Sequence, residues 1–246
     1  MLTVHDLVVA QSERAAAVLE RISLTVKRGE KVAILGPSGA GKTTLFRAIS
    51  GFLPIRSGTI TVNGVTVNGL RGKRLRALRQ SIGMVSQRHD MVDQLKVYQN
   101  VMAGALGRWS TLHALRFLLR PLQSELAEAE LALDKVGLAR KLRSRTSELS
   151  GGEHQRVAIA RALVQQPLIL LADEPIASLD PVLSGQILEL LCGLANENGF
   201  TLICSLHQPG FAYEYFDRVI KMNDGNIESD VIPLYRAPMR SWGVGA

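Results

Sequence analysis

Residues Gly36-Pro37-Ser38-Gly39-Ala40-Gly41-Lys42-Thr43 fit the pattern G-x4-GK-[ST], and few eight-residue strings restrict the surrounding fold more tightly. Glycines at Gly36, Gly39 and Gly41, with Ser38 between them, let the backbone curl until successive N–H groups point inward at phosphate oxygens. That geometry needs a buried strand ahead of the loop and a helix N-terminus behind it. Both flanks are readable. KVAIL, 31–35, is a short apolar run ending in glycine, and TTLFRAISG places Leu45, Ala48 and Ile49 on one helical side before Gly51 closes it. Lys42 then supplies a full charge to the β and γ phosphates, Thr43 a hydroxyl to Mg²⁺, and Thr44 reaches the α-phosphate side. A chance glycine-rich turn is the competing reading, and the flanks disfavour it.

A second acidic element fits the same chemistry. LILLADEP is an apolar strand ending in Asp173 and Glu174, and carboxylates at the end of a buried strand are costly unless something positive meets them. Asp173 suits a carboxylate that holds Mg²⁺ through its water shell, and Glu174 a group that polarises an attacking water. On these two elements alone, ATPases, GTPases and small-molecule kinases all remain open.

The rest of the chain sets limits on what surrounds this centre. Residues 2–9 and 22–27 alternate as half-buried strands do, and SGTITVNGVTV brackets Asn63-Gly64, a strong hairpin signal. From about 97 to 145 the periodicity turns helical, as for an inserted helical unit. After 152, helices alternate with the short apolar runs LILLA and TLICSL, which implies a mostly parallel sheet covered on both faces. The expected fold is therefore α/β, with an antiparallel β part on the N-terminal side. No run of about 18 apolar residues exists to cross a bilayer, and the N-terminus does not read as a signal peptide, so a cytoplasmic protein is expected. Cys192 and Cys204 lack metal-ligand spacing and are expected as reduced, buried thiols. The formal charge of +7 suits nucleotide phosphates, anionic lipid heads or nucleic acid. Its densest cluster, RGKRLRALR (71–79), reads first as a solvated helix face, ahead of a lipid or polynucleotide site.

Leu149-Ser150-Gly151-Gly152-Glu153, followed by His154-Gln155-Arg156 and the helix VAIARALVQQP, resembles the signature of ABC ATPases. A serine and two glycines opening a helix make a second anion site, which one γ-phosphate in one chain does not need. The resemblance implies that the signature of one subunit completes the phosphate-loop site of its twin, with two ATP molecules sandwiched in a homodimer. It covers residues 2–228 and fills other family positions in order. Gln87 matches the glutamine that touches Mg²⁺ or the attacking water and senses the membrane subunit. Ser178 and Asp180 match the loop crossing the dimer, and His207 the histidine that contacts the γ-phosphate. The implied architecture is one phosphate-loop NTPase domain over 1–230, with an antiparallel β subdomain, a helical subdomain at about 88–165 and an irregular tail at 231–246. The implied partners are integral membrane permease subunits and, indirectly, an extracytoplasmic solute-binding protein. No nucleic acid is expected, and the implied site of action is peripheral, on the cytoplasmic face of the inner membrane.

Two departures from the family pattern stand out. Where members place an aromatic ring to stack on adenine, the stretch Gln11 to Val18 has none, and Arg14 falls near that position; a guanidinium plane can stack on a base. Glu153 replaces the commoner glutamine of the signature, with little expected effect. A lone cassette without a fused membrane domain is the importer style, though cassettes of some exporters look similar. The segment from Val101 through Trp109 to LRFLLRP, with Ser205-Leu206-His207-Gln208, resembles phosphonate importer ATPases, which makes phosphonate or a related phosphorus oxyanion the expected cargo. The competing reading of the Trp109 and Phe117 segment is plain helix packing. A rival class is an ABC protein acting on nucleic acid, but the chain carries no aromatic-studded basic stretch for stacking bases.

Overall fold

The computed structural model describes residues 1–10, 16–86 and 91–233. Its centre is the parallel sheet that the apolar runs require. β3 (Lys31–Leu35), β7 (Ile169–Asp173) and β8 (Thr201–Leu206) are buried along their whole length. Together with β6 (Ile82–Val85) and β9 (Arg218–Asn223) they form parallel neighbours, and β10 (Asn226–Val231) closes one edge antiparallel. The strand order is β10-β9-β3-β8-β7-β6.

Period-two alternation splits the core into two layers. Ala33, Leu35, Leu170, Ala172, Leu202 and Cys204 face one apolar cluster, while Val32, Ile34, Ile169, Leu171 and Ile203 face the other. The first cluster is covered by α3 (Val97–Met102), α5 (Gln123–Asp134), α6 (Gly151–Val164) and α7 (Pro181–Asn198). The second is covered by α1 (Lys42–Ile49) and by a separate four-stranded antiparallel sheet. Each fully buried leucine or isoleucine contributes about 1.5–3 kcal/mol. Cys192 and Cys204 are both buried thiols outside any disulfide, as expected from their spacing.

That second sheet joins β1 (Leu2–Ala10), β2 (Ala17–Val26), β4 (Ser57–Val62) and β5 (Val65–Thr66). Asn63 and Gly64 turn the β4–β5 hairpin with φ of 49° and 82°, the left-handed pair that matches strand twist. Asp224 and Gly225, at 44° and 76°, repeat the device between β9 and β10.

Between the sheets and the signature lies helical chain. α2 (Gly72–Ser81) precedes β6, and after α3 a 3₁₀ turn at Ala103–Gly107 leads into α4 (Thr111–Leu119) and α5. Tyr98, Trp109 and Phe117 pack together, with ring centroids 6.0 Å (Tyr98–Phe117) and 5.0 Å (Trp109–Phe117) apart, so this segment does serve plain helix packing. The remaining helix, α8 (Pro209–Tyr215), connects β8 to β9.

Candidate active site

The carboxyl ends of β3, β7 and β8 lie side by side, and the residues singled out for chemistry hang from them. Leu35 pairs with Leu206 and Asp173 with Ser205 across these strands, so the loop after β3, the acids after β7 and His207 after β8 emerge at one edge. Open α/β sheets bind ligands at that edge.

The loop after β3 curls as the glycines allow. Gly41 has φ +95°, and a β-carbon there would meet Leu19 Cδ2 at 2.6 Å. At Gly36 a β-carbon would lie 2.3 Å from the Met222 carbonyl oxygen of β9. Both positions thus need glycine, one for conformation and both for close approach. Lys42 folds back over the loop, its Nζ donating to the carbonyl oxygens of Gly36 and Pro37 at 2.8 and 2.9 Å. Ser38, Gly39 and Thr43 are exposed, and Thr44 is half-buried. No side chain caps the N-terminus of α1 and no acid sits in its first turn, so the N–H groups that a helix start leaves without intrahelical partners are open to an anion.

The acids meet this cation directly. Glu174 Oε1 lies 3.6 Å from Lys42 Nζ and 2.5 Å from His207 Nε2. Burial pulls the Lys42 ammonium below its ordinary range, and the neighbouring Glu174 and Asp173 carboxylates partly offset that. Glu174 adopts φ +50°, a left-handed conformation that costs a non-glycine residue about 1–2 kcal/mol.

One participant was named from sequence only as part of a resemblance. Ser205 is fully buried. Its Oγ donates to Asp173 Oδ1 at 2.7 Å and accepts from the Glu174 N–H at 2.9 Å. The available signal was a hydroxyl in an otherwise apolar parallel strand, two residues before His207 and so on the same face.

The signature sits at the start of α6. Ser150 is its N-cap, accepting from Glu153 N at 3.3 Å, while Glu153 Oε2 accepts from Ser150 N at 2.8 Å. This is a reciprocal capping box. The Ser150 amide and the Lys141 ammonium, 3.0 Å from Oε1, hold the Glu153 carboxyl below the usual carboxylate range. Leu149 is buried beneath the turn, and Gly152 packs so closely that a β-carbon would meet Leu183 Cδ2 at 2.7 Å. Gly151 is open. Asp180 caps α7, its Oδ1 accepting from the N–H groups of Val182 and Leu183, both at 3.0 Å, and Ser178 is exposed just before it. Gln87 and Arg14 lie outside the described residues.

A phosphate loop, an acidic strand end and a histidine on one parallel-sheet edge are the arrangement of a phosphate-loop nucleoside triphosphatase. Residues 19–177 match the ABC transporter family. The phosphonates import ATP-binding protein PhnC of Frankia casuarinae is 45% identical over 236 residues, which cover 91% of this chain and 92% of that protein. The phosphate-import ATP-binding protein PhnC of Mycolicibacterium smegmatis is 44% identical over 84% of this chain and 78% of its own length. Among solved structures, a dimeric ATP-binding cassette in a post-hydrolysis state bound to ADP and Pi superposes with a TM-score of 0.79 at 29% identity, covering 94% of this chain and 98% of that one. The chain belongs to the ABC transporter family, as an ATP-binding subunit whose ATP hydrolysis is coupled to transport.

Proposed function

We propose that this subunit energises uptake of phosphonate or a related phosphorus oxyanion, working as a face-to-face homodimer beneath integral membrane permease subunits. The observation that carries the catalytic part is the Lys42–Glu174–His207 cluster beside an uncapped helix start. The arriving triphosphate takes the Lys42 ammonium and the α1 amides. Lys42 exchanges its contact with Glu174 for phosphate oxygen, and the freed carboxylate accepts the proton of an attacking water. His207 turns to the γ-phosphate. The Thr43 hydroxyl, and Asp173 through a water, would hold Mg²⁺, and the ion would neutralise charge on the phosphate oxygens. The donor set fits this ion, since both groups are hard oxygens and the Asp173 carboxylate is already oriented by Ser205.

The reading gives Ser150, Gly151 and Gly152 a phosphate of the partner subunit, with Ser178 and Asp180 ordering the crossing loop. The import names of the relatives suit a solute-binding protein on the far side of the membrane, and the chain's place is then peripheral, at the cytoplasmic face. Support for the cargo comes from the phosphonate and phosphate import names of the relatives. The test is Glu174→Gln. ATP should drive that variant into dimers that persist on a sizing column and turn over at least about 100-fold more slowly. Wild-type turnover would remove Glu174 as the base, and failure of any ATP-dependent dimer to form would remove the shared site.

A further inference from the structure

α4 is built inside out for a surface helix. Leu112 and Leu119 are each 80% exposed, Leu115 and Leu118 54%, and Leu122 just beyond the helix 51%. The inward side carries Phe117 and the polar work: Arg116 and His113 both bond Glu125, whose carboxyl is buried. Burial raises that carboxyl, but the bonds from Arg116, the Leu122 amide and His113 together hold it below its ordinary range. An ordinary surface helix places leucines inward and charges outward. Here the ion pairs hold the helix in the reversed orientation.

From residue 94 to residue 128 four cations and two acids leave a formal charge of +2 around this ridge. From residue 94 to residue 124 the chain contains Lys96, Arg108, Arg116 and Arg120 and no aspartate or glutamate. The next acids, Glu125 and Glu128, are paired with Arg116 and Arg108. Arg76 ties α2 to the turn that leads into α4, donating to the carbonyl oxygens of Leu106, Gly107 and Trp109 at 3.1, 3.0 and 2.9 Å. At the start of α2 the side chains of Arg71, just ahead of the helix, and of Lys73 and Arg74 are exposed, and between Glu30 and Asp90 the chain has no acidic residue at all.

We infer that the α4 ridge and the basic α2 helix form a docking surface for an anionic lipid bilayer. A leucine ridge with cationic flanks is the pattern of a helix lying in a membrane interface, apolar side chains entering the acyl boundary and guanidinium groups meeting headgroup phosphates. A protein partner is the weaker fit. Protein interfaces centre on aromatic and arginine anchors, whereas Trp109 stacks on His113 at 4.3 Å and Phe117 is buried. The inference does not depend on the nature of the cargo or on the catalytic roles.

Co-sedimentation of the purified full-length chain with vesicles tests it. Binding should be at least about tenfold stronger to equimolar phosphatidylglycerol and phosphatidylcholine than to phosphatidylcholine alone. It should fall about tenfold or more for Leu115→Glu with Leu119→Glu, and about 25-fold for Lys73→Ala with Arg74→Ala at roughly fivefold per cation. Both pairs point outward, so melting temperature and ATP hydrolysis in detergent-free buffer should match the parent. Equal binding to both vesicle types, or undiminished binding by the leucine variant, overturns the inference. So does association only when permease protein is present in the vesicles, which makes the partner a protein. Loss of self-association in the leucine variant, without loss of vesicle binding, assigns the ridge to a second copy instead and overturns it equally.

Discussion

Replacing Ser205 by alanine removes one oxygen that performs two tasks in a site with no room for compensation. The hydroxyl donates to Asp173 at 2.7 Å and receives the Glu174 amide at 2.9 Å, on a strand position with no exposure. A hydrogen bond to a charged group contributes about 1.5–3 kcal/mol, and a buried donor left without a partner costs about 1–3 kcal/mol. Partial relaxation makes the two overlap, so the expected loss of stability is about 2–4 kcal/mol. For a chain of this size that lowers Tm by roughly 4–16 °C, at about 2–4 °C per kcal/mol. Catalysis should suffer separately. The amide bond holds Glu174 in its left-handed conformation, and at about 1.4 kcal/mol per factor of ten, loss of even the weaker bond lowers kcat about tenfold. KM for ATP should change by less than about threefold, because the phosphate loop is untouched. Thermal melting and steady-state hydrolysis of Ser205→Ala and Ser205→Thr give the comparison. Threonine keeps the oxygen and should restore most of kcat. A normal kcat in the alanine variant, or a threonine variant as slow as alanine at a normal Tm, refutes the assignment of Ser205 as the group that positions both acids.

Lys42→Met should abolish detectable ATP binding in a fluorescent-nucleotide titration while leaving Tm of the nucleotide-free protein unchanged or higher. The sign follows from the lowered Lys42 pKa: the folded state binds its proton less well than the unfolded chain, so the charged lysine costs stability at neutral pH, a cost relieved only as pH rises toward the ordinary lysine range. Glu153→Ala should cost about 1 kcal/mol in denaturant melts, the typical value of a capping interaction, and Glu153→Gln less. Because the folded pKa of Glu153 is depressed, its contribution is complete above the unfolded carboxylate value and fades as pH falls through the folded one. The difference between parent and Glu153→Ala should therefore shrink in acid; a constant difference across that window contradicts the capping account.

Where chemistry demands fixed residue types in consecutive positions, the chain could be read directly. The phosphate loop, the acidic strand end and the LSGGE turn are local strings, and the structure places the strands and helices around them where periodicity and turn residues put them. β6, with only the four residues IGMV, and the β9–β10 hairpin escaped that reading because short runs carry little periodicity. Ser205 escaped for a different reason. Its meaning lies in a cross-strand register, Asp173 opposite Ser205, and pairing between strands distant in sequence leaves no local trace. α4 shows a third limit. LHALRFLL is visibly helical, but periodicity does not say which side faces in, and the buried side turned out to be Phe117, with the leucines outside.

The helix starts around the site give the two proposed anion sites different characters. α1 begins without a side-chain cap, whereas α6 and α7 begin with Ser150 and Asp180 already bonded to their first-turn amides. An uncapped start gains the most from a bound phosphate, since its N–H groups exchange only water for it. At α6 the cap remains compatible with a second anion: the Ser150 oxygen accepts from Glu153 N, which leaves the hydroxyl hydrogen to donate outward. The Glu153 carboxylate meanwhile satisfies the Ser150 amide and is itself neutralised by Lys141, so its charge does not stand unopposed before an arriving phosphate. On this reasoning Ser150→Ala loses both the cap and the outward donor, whereas Ser150→Thr keeps both. ATP-driven dimerisation measured by light scattering should follow that order, and equal dimerisation by the alanine and threonine variants would show that the hydroxyl does not reach across.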